Sequence, residues 1–167
     1  MFSLEIETLA RLLIDEARER SLRIVTAESC TGGLVAAAIC SISGASDVFE
    51  RGFVTYTNAA KIAMLGVLPA TLDLHGAVSE PVAAAMALGA LARSDAQIAV
   101  SVTGIAGPGG SEHKPEGRVC FGLAMLGRVQ TETVEFGAIG RVQVRGATVD
   151  HALKMLLQAV EEYRVTI

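Results

Sequence analysis

Short apolar runs alternate with alanine-rich helical segments along most of this chain, and that alternation limits the fold more than anything else in the sequence. Leu4, Ile6, Leu9, Leu12, Leu13 and Ala17 recur at helical spacing, with charged residues between them, and predict an amphipathic first helix. Arg23 to Ala27 reads as a short buried strand, followed by a helix from about Leu34 to Ser41. Phe53 to Tyr56 is rich in aromatic and β-branched residues and reads as a strand. Asn58 is expected to cap a short helix through Leu65 that Gly66 stops. Ser79-Glu80-Pro81 opens another helix, to about Ala92, and Gln97 to Val102 reads as a buried strand. Arg118–Leu126 and Val129–Phe136 form a hairpin pattern around Gly127-Arg128, and a last helix covers about Val142 to Tyr163. The expected fold is one α/β domain over residues 1–167, a three-layer α/β/α sandwich. Its sheet is mixed but mostly parallel, with an antiparallel member from the hairpin.

Composition narrows the partners. No apolar stretch reaches the roughly 20 residues that span a bilayer, and the N-terminus lacks the basic flank of a signal peptide. A cytoplasmic protein is expected. Net charge is −4 with no basic run, so a nucleic-acid partner is not expected. Cys30, Cys40 and Cys120 form no metal-binding spacing, and neither a metal nor a cofactor is expected. Charged residues are only 19% of the chain, which suggests a homo-oligomer, with a dimer the first expectation.

In open α/β sheets, ligands gather at the carboxyl ends of strands. Three polar, small-residue segments fall at such ends: Glu28–Gly33, Tyr56–Lys61 and Thr103–Gly110. Their convergence is the main structural expectation. Within "TAESCTGG" (residues 26–33), Ser29 stands where a strand hands over to a helix N-terminus, whose free amides could hold a phosphate or an oxyanion. Ser29 and Thr31 could equally be plain helix caps. A serine nucleophile needs a base. His113 and His151 lack the neighbouring carboxylates of a triad, and His75 in "LHGAVSE" is a loose candidate or a structural or capping residue. Lys61 in "YTNAAK" is either a solvated surface lysine, the reading that spacing alone favours, or a base early in a helix, where the dipole and burial would lower its pKa. Tyr56 could relay a proton or be packed. Cys30 competes as a thiol nucleophile or turns into the core, and Glu28 is either a hydrogen-bond acceptor at the site or a salt-bridge partner. "TGIAGPGG" (103–110) matches neither a P-loop nor GxGxxG, yet its glycines allow close approach of a ligand. Arg141 and Arg145 share a helix face and could clamp a phosphate or simply be solvated.

"TAESCTGG", "ISGASDVFERGFVTYTNAAK", "HGAVSE" and "SVTGIAGPGGSEHKPEGRV", in that order, resemble the CinA carboxy-terminal domain family over about residues 4–163. Stand-alone members of that family are nicotinamide-nucleotide amidohydrolases. The resemblance implies a three-layer sandwich and hydrolysis of nicotinamide mononucleotide to nicotinic acid mononucleotide and ammonia, returned to NAD synthesis. It makes Ser29 the nucleophile, Lys61 the base and Tyr56 its aid, with Thr103-Gly104 matching the family's threonine-glycine. Substrate contacts are then expected from Glu28, Cys30, Thr31, Gly32, Gly33, Thr103, Gly104, Arg141 and Arg145. One departure is Ile139-Gly140-Arg141, where many relatives carry Gly-Asp-Arg, so the aspartate of that edge is missing here. The rival expectation is a non-catalytic nucleotide- or partner-binding module linked to competence or DNA damage.

Overall fold

The computed structural model describes residues 1–111 and 113–163; position 112 of the long 103–117 loop lies outside them. Eleven principal elements follow in order: α1 (Leu4–Glu19), β1 (Ile24–Glu28), α2 (Leu34–Cys40), β2 (Phe49–Val54), α3 (Asn58–Leu65), α4 (Pro69–His75), α5 (Glu80–Ala92), β3 (Ile98–Gly104), β4 (Arg118–Met125), β5 (Arg128–Glu135) and α6 (Arg141–Glu162). The sheet order is β2-β1-β3-β4-β5. β1 pairs parallel with β2 and β3, and β4 pairs antiparallel with β3 and β5. Four strands therefore point one way and β4 alone runs against them. This is the mixed, mostly parallel sheet expected from the sequence.

Two cores make the three layers. Ile6, Leu13 and Ile14 of α1, Val35 and Ile39 of α2 and Leu153 and Leu156 of α6 pack on Ile24, Val100 and Phe121 of the sheet. Leu65 of α3, Leu72 of α4 and Val82 and Met86 of α5 pack on Val25, Ala27 and Ala99 from the other side. Helices on both faces explain why every residue of β1 is buried and why its sequence does not alternate. No helix among the described residues is long and apolar enough to cross a membrane.

Several local expectations are corrected. The Phe53–Tyr56 strand is β2, but it starts at Phe49 and ends at Val54, so Tyr56 lies beyond the sheet. Thr57, not Asn58, caps α3: its side chain accepts from the Ala60 N–H at 3.0 Å. Gly66 does stop α3, in a left-handed conformation (φ 70°). α4 has no counterpart in the sequence reading, because its seven residues are too few to show a period. Leu4 and Leu12 fit the apolar spacing of α1 yet are 77% and 48% exposed, since the buried stripe runs through Ile6, Ala10, Leu13, Ile14 and Ala17.

The order of connection positions the site. From β1 the chain goes first to β2 on one side and later to β3 on the other. The carboxyl ends of β1 and β3 therefore flank the point where the winding reverses, the place where open α/β sheets leave a crevice.

Candidate functional site

Glu28 ends β1 and is 1% exposed. Its Oε1 accepts from the Thr31 hydroxyl at 2.6 Å and the Val35 N–H at 2.8 Å, and its Oε2 accepts from the Ala36 N–H at 3.0 Å. The carboxylate thus caps α2 from beneath. The free helix amides expected there for a ligand are already taken. Gly33, the N-cap, needs no side chain and sits at φ 98°, where other residues are strained.

Successive side chains on a strand point to opposite faces. With Glu28 turned under α2, Ser29 turns the other way, towards α3. The Ser29 N–H donates to Val102 O at 3.0 Å, which extends the β1–β3 ladder by one bond. Lys61 is the fourth residue of α3 and is 1% exposed. Its Nζ lies 3.0 Å from Ser29 Oγ and 3.0 Å from Thr55 O. No carboxylate pairs with Lys61 among the described residues. An ammonium removed from water without a counter-charge is disfavoured, so burial pulls the Lys61 pKa down from the ordinary lysine value of 10.5. The fold therefore favours a neutral amine beside a serine hydroxyl.

Ser29 and Lys61 open onto a cavity of about 340 Å³ that also meets Tyr56, Asn58, Thr103, Gly104 and the 105–111 loop. The three segments expected to converge do so here. Among the described residues the lining carries no carboxylate; its charged side chains are Lys61 and Arg141. The Gly104 backbone must pass close to β4, since a Cβ there would lie 2.7 Å from Val119 Cγ2. The Thr103 hydroxyl donates to Ala77 O at 2.8 Å and fixes the opposite wall.

The other expected site residues divide between the cavity rim and the turn behind it. Tyr56 is 57% exposed, and its hydroxyl accepts from Arg141 Nη2 at 2.8 Å. It bonds neither Ser29 nor Lys61 among the described residues, because β2 ends two residues earlier and the side chain falls at the cavity rim. Arg141 also donates to Gly107 O at 2.8 Å, tying Tyr56 to the glycine loop. Glu28, Thr31, Gly32, Gly33 and Arg145 do not line the cavity. Arg145 instead donates to the carbonyls of Cys30 and Thr31, at 3.1 and 2.9 Å. Cys30 touches the cavity but is 5% exposed and packs into the core, and burial pushes its thiol up to about 11. Burial thus disfavours the thiolate, the reactive form.

Lys114 is a residue that the sequence reading missed. Its Nζ donates to His75 O at 2.8 Å and to Val78 O at 2.5 Å, holding the wall that Ala77 and Val78 form. Asn58, expected as a cap and within the Tyr56–Lys61 segment, lines the cavity.

The model of the CinA C-terminal domain matches residues 6–160. The chain belongs to the CinA C-terminal domain family. A CinA-like protein of Chlorobaculum tepidum is 47% identical over 160 residues, which are 93% of this chain and 38% of that protein. The nicotinamide-nucleotide amidohydrolase PncC of Escherichia coli K12 is 47% identical over 155 residues, 92% of this chain and 94% of that one. The crystal structure of the competence/damage inducible protein CihA from Agrobacterium tumefaciens superposes with a TM-score of 0.93 at 51% identity, covering 97% of this chain and 99% of that one. This CinA C-terminal domain chain spans between 30% and 40% of the length of several relatives, most of them called putative competence-damage inducible proteins.

Proposed function

We propose that the protein hydrolyses the carboxamide of nicotinamide mononucleotide, giving nicotinic acid mononucleotide and ammonia for return to NAD synthesis. The observation that carries this reading is the 3.0 Å approach of a buried Lys61 amine, paired with no carboxylate among the described residues, to Ser29 Oγ. A neutral amine can accept the serine proton, as serine–lysine hydrolases do. The activity named for the Escherichia coli relative, which is covered almost end to end, supplies the substrate. Arg141 at the rim of a cavity whose lining carries no carboxylate among the described residues suits a substrate that bears a phosphate.

In the proposed reaction, Lys61 takes the Ser29 proton as Oγ bonds to the amide carbon. Lys61 then gives that proton to the amide nitrogen as the carbon–nitrogen bond breaks, and ammonia leaves. Water, deprotonated by Lys61, attacks the acyl-serine; the ester bond breaks and Ser29 recovers its proton. Tyr56 and Arg141 stand together at the rim, where they would meet the nucleotide portion and not the reacting bond. The elevated Cys30 thiol speaks against a cysteine nucleophile.

The base must be neutral, so kcat/KM should rise with pH along a single acid limb whose midpoint lies below 10.5, and Lys61→Met should abolish that limb. A limb in the range of an ordinary carboxylate, near 4, would contradict Lys61 as base. The same depression bears on stability. Between the lowered native pKa and 10.5, the unfolded chain binds more protons, so native stability rises with pH across that window and is reduced in full below it. The stability of Lys61→Met relative to wild type should therefore be highest below that window and fall as pH approaches 10.5, as thermal melts would show.

Ammonia release from nicotinamide mononucleotide tests the function itself. Folded wild-type protein that binds the nucleotide without releasing ammonia would point instead to a binding module, the reading that the competence-damage names of other relatives favour.

A further inference from the structure

Arg145 does not face the substrate cavity. It lies behind the turn that carries Ser29, and it lines a separate cavity of about 610 Å³ between the starts of α1 and α6. From there its guanidinium reaches across to two consecutive carbonyls: Nε donates to Cys30 O at 3.1 Å and Nη2 to Thr31 O at 2.9 Å. Both acceptors belong to the residues that immediately follow Ser29.

A trans peptide sets its N–H opposite to its C=O. Holding Cys30 O towards α6 therefore turns the Thr31 N–H away from α6. Holding Thr31 O the same way turns the Gly32 N–H away too, and that N–H donates to Ser29 O at 3.0 Å. Arg145 Nη2 also packs against Gly32, close enough that a Cβ there would lie 3.6 Å from it. Ser29 is thus fixed from two sides. Its own N–H is held by β3 through Val102 O, and the peptides after it are held by Arg145. A forked, charged donor specifies both distance and direction, which a lone ammonium cannot.

We propose that Arg145 is a positioning residue for the nucleophile, holding the Cys30 and Thr31 peptides so that Ser29 Oγ stays in register with Lys61, and not a clamp on the substrate phosphate. The proposal rests on the amidohydrolase reading above for its kinetic readout. Small displacements of a reacting atom cost on the order of 10²-fold in rate. An Arg145→Met protein should lose about that factor in kcat for nicotinamide mononucleotide, with KM changed by less than about threefold. It should lose the same factor on nicotinamide riboside, which has no phosphate. Arg145→Lys, which restores one donor, should recover part of the loss. A rise in KM confined to the phosphorylated substrate, with the riboside turned over as by wild type, would overturn the proposal and make Arg145 a phosphate clamp. So would unchanged kcat in Arg145→Met.

A second readout needs no amide. The rate of covalent labelling of Ser29 by a fluorophosphonate, followed by peptide mass spectrometry, should fall in Arg145→Met by a factor similar to the loss in kcat and recover in part in Arg145→Lys. Equal labelling of wild type and Arg145→Met overturns the positioning role. Wild type that labels at Ser29 but releases no ammonia would count against the substrate assignment alone, and the labelling ratio would still decide this proposal.

Discussion

Ser29→Ala is expected to lower kcat for ammonia release from nicotinamide mononucleotide by at least about 10⁴-fold, with KM nearly unchanged. The expectation follows from the chemistry proposed for Oγ. No other hydroxyl or thiol stands within hydrogen-bond distance of Lys61 Nζ among the described residues. Cys30, the adjacent candidate, is held protonated by burial. The substitution removes one oxygen and one hydrogen bond, worth about 1 kcal/mol, so the melting temperature should stay within about 4 °C of wild type. Loss of activity at retained stability separates the removal of a nucleophile from the collapse of a site. Turnover within tenfold of wild type would exclude Ser29 as the nucleophile.

Glu28→Ala should have the largest effect on stability. The carboxylate accepts from the Thr26 and Thr31 hydroxyls and from the Val35 and Ala36 N–H groups, and its removal takes the acceptor from these buried or half-buried donors. Each unsatisfied buried donor costs about 1–3 kcal/mol. A loss of about 3 kcal/mol or more follows, which for a chain of this size lowers the melting temperature by roughly 10 °C. Glu28→Gln should recover part of this, because its amide oxygen can still accept while its NH₂ group cannot. The measurement is a thermal melt of both variants beside wild type. Glu28→Ala melting within about 3 °C of wild type would mean that the turn after β1 is held without this carboxylate.

The layers and strand directions were legible because both are properties of local pattern. The largely apolar, non-alternating runs at Ile24–Glu28 and Ile98–Gly104 mark strands buried on both faces, and Gly127 between two strand-forming runs marks the hairpin. The meeting of Ser29 with Lys61 could be anticipated because strand ends gather at one edge of such a sheet. What stayed hidden depends on which way a side chain turns. Glu28 and Ser29 are neighbours, and strand alternation sends one under α2 and the other into the cavity; without a known register the sequence could not say which. Arg141 and Arg145 are four residues apart on α6, so helical spacing put both on one face. In the fold, Arg141 reaches Tyr56 and Gly107, whereas Arg145 reaches behind the turn to Cys30 and Thr31. A shared helix face does not mean a shared target when two long side chains can diverge. Tyr56 was displaced for a different reason: β2 begins four residues earlier than its aromatic run suggests and ends before reaching it.

The most direct test of the proposed Ser29–Lys61 mechanism is a double-variant cycle on kcat for ammonia release, using Ser29→Ala, Lys61→Met and the two combined. Groups that act as one unit are strongly non-additive. The expected result is that each single substitution removes nearly all activity and that the double variant is no slower than the slower single. Substantial activity in folded Lys61→Met, or a double variant that loses the product of the two single factors, would show that serine and lysine work independently and that Lys61 is not the base for Ser29.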